Sequence, residues 1–309
     1  RRARSDDGAG RVDPALGEAV SPPPPLADLQ AAPLRRGARI DALIDAIVPL
    51  ALEAPISGEM VIAHLPPTRR AGSKPFVVEG LDAETGEWDM PTPGRRYGEL
   101  QAGLQLANRS GALNEIEYSE FVQKIQGFAD AVGAMADFPD MLEVVARARE
   151  LDGLASPLDA QLTVTLRSNS VAWSAAYIQQ CAARHGFVPG VVPGRLVLAA
   201  SEDGAPPVLA LNFDPQAALA DDPQTAPVRE CGLSLDVPQT AASAEPFPAW
   251  HNAARSLSDD MDALLVDDHG EQVTLHAFAA IGQELGVLYR KLDALDLAAG
   301  SAAARRLFS

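Results

Sequence analysis

The chain has 309 residues, 47 % of them hydrophobic, so it can bury real cores and has room for about two domains. Its formal charge is −17, unevenly spread: residues 1–39 hold seven Arg against five Asp and Glu, a balance of +2, which leaves −19 for the rest. An acidic body repels phosphate backbones, which argues against nucleic acid as a partner, and no stretch approaches the roughly 20 apolar residues that span a bilayer.

Residues 1–38 read as a Pro-rich disordered linker. Ser21 and the run Pro22–Pro25 sit among scattered Gly, Ala and Asp with no hydrophobic period, a composition that cannot bury enough apolar area to offset chain entropy. Arg1-Arg2-Ala3-Arg4 has the character of the basic flank just cytoplasmic of a membrane helix; the plain alternative is the edge of a disordered tail.

Residues 39–153 are expected to form one α+β domain. Asp45-Ala46 opens a strand through Val48, Leu50 and Leu52, with Pro49 inside it against the usual placement of proline. Ile56–Leu65 is a short helical candidate, cut off by Pro66-Pro67. Phe76–Val78 and the region of Trp88 give two more strands; Trp88, between Glu87 and Asp89, is the tryptophan expected at the surface. Leu100, Ala102, Leu104 and Leu106 alternate as in a half-buried strand. Phe121, Ile125, Phe128, Val132 and Met135 form a helix stripe. Ala134–Phe138 is a reduced hairpin, and Pro139 starts a helix with Met141, Val144, Ala148 and Leu151 on one face.

Residues 154–309 follow the same order, so residues 39–153 read as a loose, degenerate copy of them; the competing reading is an unrelated α+β domain. Leu162, Val164 and Leu166 alternate in a first strand, and Ser168, Asn169 or Ser170 caps a helix bearing Val171, Ala175, Ile178 and Cys181. Strands follow near Leu196–Leu198 and Val208–Phe213, divided by a Gly-Ala-Pro-Pro turn. Cys231, Leu233, Leu235 and Val237 alternate until Pro238 ends the strand. Phe247, Trp250, Ala254, Leu257 and Met261 mark a helix face, Leu264–Val266 a short strand, and Asp267–Gly270 a turn. Thr274 caps a last helix with Phe278, Ile281, Leu285, Leu288 and Leu292 on its stripe. Trp173 and Trp250 are placed on helix faces in the core.

Reactive constellations do not emerge. The five histidines are scattered, with no HExxH or Cys-His spacing. Asp259, Asp260 and Asp262 read as solvated acids and Asp267, Asp268 and Glu271 as a turn, without the calcium-loop pattern. Phosphate-binding glycine loops are lacking, and Cys181 and Cys231 read as buried free thiols. The expectation is therefore a protein that is not an enzyme and has no cofactor or metal; an enzyme built on a ferredoxin-like sheet is the remote alternative.

The strand ending in Val237-Pro238, the Phe247-led helix, the Leu265-Val266-Asp267-Asp268 hairpin and the Thr274-capped final helix resemble the C-terminal FtsZ-binding domain of the ZipA family of bacterial division proteins. The resemblance covers about residues 158–295 in detail and 40–152 through element order. It implies an α+β fold of two tandem split β-α-β (ferredoxin-like) domains, antiparallel sheets with helices on one face and the other face open. It implies an adaptor that binds the FtsZ C-terminal peptide on that face and tethers filaments to the inner membrane on its cytoplasmic side, through an anchor upstream of this chain. The alternative is a scaffold of the same fold with another peptide or protein partner; either would be a monomer. Carry-over puts the docking positions at Gln161, Thr163, Val192, Ala210, Asn212 and Ser234. Gln161, Thr163 and Ser234 stand where the family uses aliphatic, Met and Phe residues. In the first copy Ile47, Val77, Trp88 and Met90 are the apolar outward positions, which are expected to supply part of the docking surface.

Overall fold

The computed structural model describes residues 39–222, 224 and 226–309; the expected linker lies outside them. Sixteen elements carry the architecture. The first half runs β1 (Asp45–Leu52), α1 (Gly58–His64), β2 (Lys74–Asp82), β3 (Arg96–Gln105), α2 (Glu115–Val132), β4 (Ala134–Ala136) and α3 (Met141–Ala155). The second runs β5 (Gln161–Ser168), α4 (Ala175–Arg184), β6 (Arg195–Leu198), β7 (Leu209–Asn212), β8 (Glu230–Asp236), α5 (Pro246–Met261), β9 (Ala263–Val266), α6 (Leu275–Ala294) and α7 (Ala302–Leu307).

All named strand pairs are antiparallel. One sheet takes the order β2-β3-β1-β4, widened by the short strands Ile56–Ser57, Arg70–Ala71 and Trp88–Asp89. The other takes β6-β7-β8-β5-β9, with Val188–Pro189 outside β6. The protein is thus a mixed α+β structure with several antiparallel sheets, one curled into a half-barrel. The registers of the two sheets correspond. Asp45 faces Gln105 as Gln161 faces Asp236, and Ile47 faces Gly103 as Thr163 faces Ser234. Val77 completes the first row on β2 as Ala210 completes the second on β7.

Alternation decides which side of each sheet is buried. Ala46, Val48, Leu50, Phe76, Leu100 and Leu104 point inward against Phe121, Ile125 and Phe128 of α2. Val164, Leu166, Leu233 and Leu235 do the same against Trp250, Ala254 and Leu257 of α5, whose Trp250 indole donates to the Leu233 carbonyl at 3.0 Å. The chain's tail returns to the first core: Leu292, Leu297, Leu307 and Phe308 pack there. The Gln239 amide, just past β8, donates to the carbonyls of Arg305 and Phe308, tying the tail to the second half.

Pro49 does sit inside β1. Its carbonyl accepts from Asp137 N on the β4 side, and a residue's N and C=O lie on the same edge of a strand. The missing donor therefore faces the short strand β4, which pairs only with Leu50–Leu52, and the long ladder with β3 loses nothing.

Three expected placements change. Met135 is not on the α2 stripe: Gly133, at φ 70°, stops the helix in the left-handed conformation, and Met135 enters β4 with 76 % of its surface exposed. The cap of α4 is Ser174, whose hydroxyl accepts from Tyr177 N, not Ser168, Asn169 or Ser170. Asn169 and Ser170 instead turn toward the Asp262 carboxylate, and Val171 is left exposed. Trp173 consequently stands on a short strand before the helix; it is buried, with its indole donating to the Met261 carbonyl. Among the described residues no helix is long and apolar enough to cross a membrane.

Candidate docking faces

The outward face of the second sheet gathers most of the residues singled out from sequence. Thr163, Ser234 and Ala210 form one cross-strand row, Thr165, Gly232 and Asn212 the next, and Gln161 and Asp236 close one end. Gln161 and Thr163 are exposed, Ser234 and Asn212 half-buried, and Ala210 buried between its neighbours. The Ser234 hydroxyl donates to the Ala210 carbonyl at 3.3 Å. Val192 does not join them. It lies in the turn before β6, 56 % exposed, and the residue that pairs with Ala210 on that strand is Val197. β6 lies where the strand near Leu196–Leu198 was expected, and the carry-over position Val192 falls in the Gly190, Pro193 and Gly194 turn before it.

Each cation named on this face is bound to carboxylates. Arg167 binds Glu230 at 2.6 Å across the strands. Arg109, from the loop after β3, reaches over to Asp159 at 2.6 Å and Asp236 at 2.8 Å. Hydrogen bonds to Asp159 and Asp236 raise the guanidinium's pKa, and the contact ties the two halves together at the Gln161 end. Paired charges with one carboxylate in excess, together with hydroxyl-rich rows, give a surface suited to hydrogen bonds, with few deep apolar anchors.

The first sheet's outward face differs. Ile47 and Val77 flank Gly103 there, as expected, both half-buried. Trp88 does not: only 4 % of it is exposed, so its polar neighbours Glu87 and Asp89 do not bring it to the surface. Met90 lies past the short strand Trp88–Asp89, its carbonyl accepting from the Tyr97 hydroxyl, and belongs to no cross-strand row. Burial raises the Tyr97 phenol's pKa. Over Gly103 sits Ile40, buried, with its backbone N–H and that of Arg39 donating to Glu79 Oε1 at 3.2 and 2.6 Å. Sequence reasoning placed residue 40 at a linker edge and missed this contact. The available signal was Gly103 itself, since a glycine within an alternating strand marks close approach of another segment.

A concavity of about 420 Å³ runs along α6, lined by Leu158, Leu162, Ile281, Leu285, Leu288 and Lys291. His185 Nε2 lies 2.8 Å from Asp260 Oδ2, and that contact lowers the carboxyl's pKa, so Asp260 is paired and not simply solvated. Among the described residues no three His, Cys, Asp or Glu side chains gather as a metal site would require. Cys181 and Cys231 are free and buried, and burial pushes the Cys231 thiol up to about 12.

No known protein family matches the chain, and no curated protein matches it significantly.

Proposed function

We propose that the chain is a noncatalytic adaptor made of two tandem split β-α-β units. The second presents its outward sheet face to the C-terminal tail of FtsZ, and an anchor upstream of residue 1 tethers the assembly to the inner membrane. The observation that carries this reading is the one-sidedness of the second sheet: α5 backs its inward side while Gln161 and Thr163 stay exposed on the other. The matching registers of the two sheets support a duplicated unit. The resemblance of residues 158–295 to the ZipA domain supplies the partner.

The polarity of the Thr163–Ser234–Ala210 row favours a second reading, a scaffold of the same fold that takes a different peptide. One titration separates the two. A labelled FtsZ tail peptide is added to the isotope-labelled full chain, and shifts are expected at Thr163, Ser234 and Ala210. Ser234→Arg, which places a large charged side chain in the middle of the row, is expected to weaken binding at least tenfold, the loss of about 1.4 kcal/mol. Absence of binding by the wild-type chain defeats the FtsZ reading, and shifts confined to the α6 concavity defeat the sheet-face reading.

A further inference from the structure

The outward faces of the two sheets are equivalent in register and opposite in state. In the second, Ser234 stands at the centre of its row between Thr163 and Ala210. In the first, the equivalent position is Gly103, and the space a side chain would take is filled by Ile40. A Cβ built at residue 103 would stand 2.8 Å from both Cγ1 and Cγ2 of Ile40. Ile40 is only 6 % exposed although it belongs to no strand or helix. Its segment is held like a bound peptide. Glu79 Oε1 accepts from Arg39 N and Ile40 N, the Arg39 carbonyl accepts from Arg306 Nη1 at 2.9 Å, and Asp41 N donates to Asp45 Oδ2 at 2.8 Å. Gln101, on the neighbouring strand, donates to the other Glu79 oxygen at 3.2 Å and orients that carboxylate. None of these bonds is a rung of the sheet, so lifting the segment breaks no strand pairing.

We propose that the outward face of the first sheet is a segment-binding surface that the chain fills in cis with Arg39–Asp41, Ile40 being the anchor side chain. This strap excludes any segment in trans until it lifts. The inference rests on reading the outward faces as docking surfaces. It also says what the first face accepts: an aliphatic side chain over Gly103, with two successive backbone N–H groups turned to Glu79. Because only the turn at residues 42–44 separates the strap from β1, its effective concentration at the face is in the millimolar range or above, and it outcompetes a free peptide of the same sequence.

The test uses the full chain and a fluorescent synthetic peptide of residues 36–44, followed by anisotropy. Ile40→Asp expels the cis anchor, because a carboxylate cannot occupy the apolar seat. The peptide is expected to bind the I40D chain at least tenfold more tightly than wild type. In the double variant I40D/G103V, where the valine fills the seat, affinity returns to the wild-type level. Equal or absent binding to both I40D and wild type overturns the proposal, as does binding that survives G103V. Loss of cooperative unfolding in I40D also overturns it, because a displaceable occupant leaves a folded sheet behind. The FtsZ tail titration above reads the second face with a different peptide, so either result can fail without the other.

Discussion

Replacing Arg306 with Met should destabilise the protein in a way that depends on pH. Asp45 has a fully buried side chain that accepts three hydrogen bonds, one from Asp41 N at 2.8 Å and two from Arg306 at 2.9 and 2.6 Å. Burial raises its pKa above the ordinary 3.8, and the Arg306 bond and charge oppose that rise. Removing Arg306 deletes both opposing influences, so the folded-state pKa rises further. Breaking such a pair costs about 3–5 kcal/mol when the remaining charge stays buried. The folded protein can escape by taking up a proton, at about 1.4 kcal/mol for each pH unit above the unfolded carboxyl's value. At pH 7 that limit is about 4 kcal/mol, and at pH 5 it is under about 2 kcal/mol. The sign follows from the proton count. A carboxyl whose folded pKa is raised binds more protons in the folded state, so the variant regains stability as pH falls toward 3.8. Urea denaturation followed by circular dichroism at pH 7 and pH 5 should therefore show a deficit of about 3–4 kcal/mol that at least halves at the lower pH. Adding Asp45→Asn, which removes the stranded charge, should recover most of the loss at pH 7. A deficit that stays constant between the two pH values, or a double variant no better than R306M, would refute the reasoning.

Two further expectations concern buried groups. With its pKa pushed up to about 12, the Cys231 thiol should react with a disulfide reagent at pH 8 on the order of a thousandfold more slowly in the native protein than in urea; comparable rates would show that β8 opens readily. Lys74 is buried with its ammonium 2.6 Å from Ser73 Oγ and 3.7 Å from Glu117, and burial lowers its pKa. Lys74→Met removes one partner of a buried pair, but the Glu117 carboxylate it leaves keeps three other hydrogen bonds, so the loss should be about 1–3 kcal/mol. Glu117→Gln should lose about 3–5 kcal/mol, because it leaves the buried Lys74 ammonium without its counter-charge and weakens the bonds from Ser73 N, the Ser73 hydroxyl and the N-cap residue Asn114 N. Thermal melts of the two variants settle the order, and a larger loss for K74M would reverse the assignment.

What could be read from the sequence was whatever one side chain's neighbours along the chain determine. The alternation of Cys231 to Val237 and the three-and-four spacing from Trp250 to Met261 place β8 and α5 within a residue or two, because burying one face needs that period. The failures occur where a distant partner decides. Asp262 lies some ninety residues beyond Asn169 and Ser170, and it takes both side chains away from the helix they seemed suited to cap. Trp88 is flanked by acids yet buried. Leu307 and Phe308 complete a core whose strands lie at the other end of the chain. The docking positions divide the same way. Thr163, Ser234 and Ala210 meet because antiparallel register follows from matching two alternating patterns, whereas Val192 misses by the length of a glycine-proline turn that alternation does not count.

The contrast between Gly103 and Ser234 extends that logic. Both sit at the centre of an outward row, and local propensity disfavours glycine in a strand interior. A strand that accepts this loss at Gly103 while its counterpart carries Ser234 has been shaped by something laid across it, and in this fold that something is Ile40. Outward faces with the same register therefore differ in what stands on them. The first leaves no room for a side chain at residue 103 because its own chain is already there, and the second carries a small, hydroxylated row at the equivalent positions. On the reading proposed above, a partner of the second face would supply hydrogen-bonding groups along two strands, and the titration followed at Thr163 and Ser234 tests whether the FtsZ tail does so.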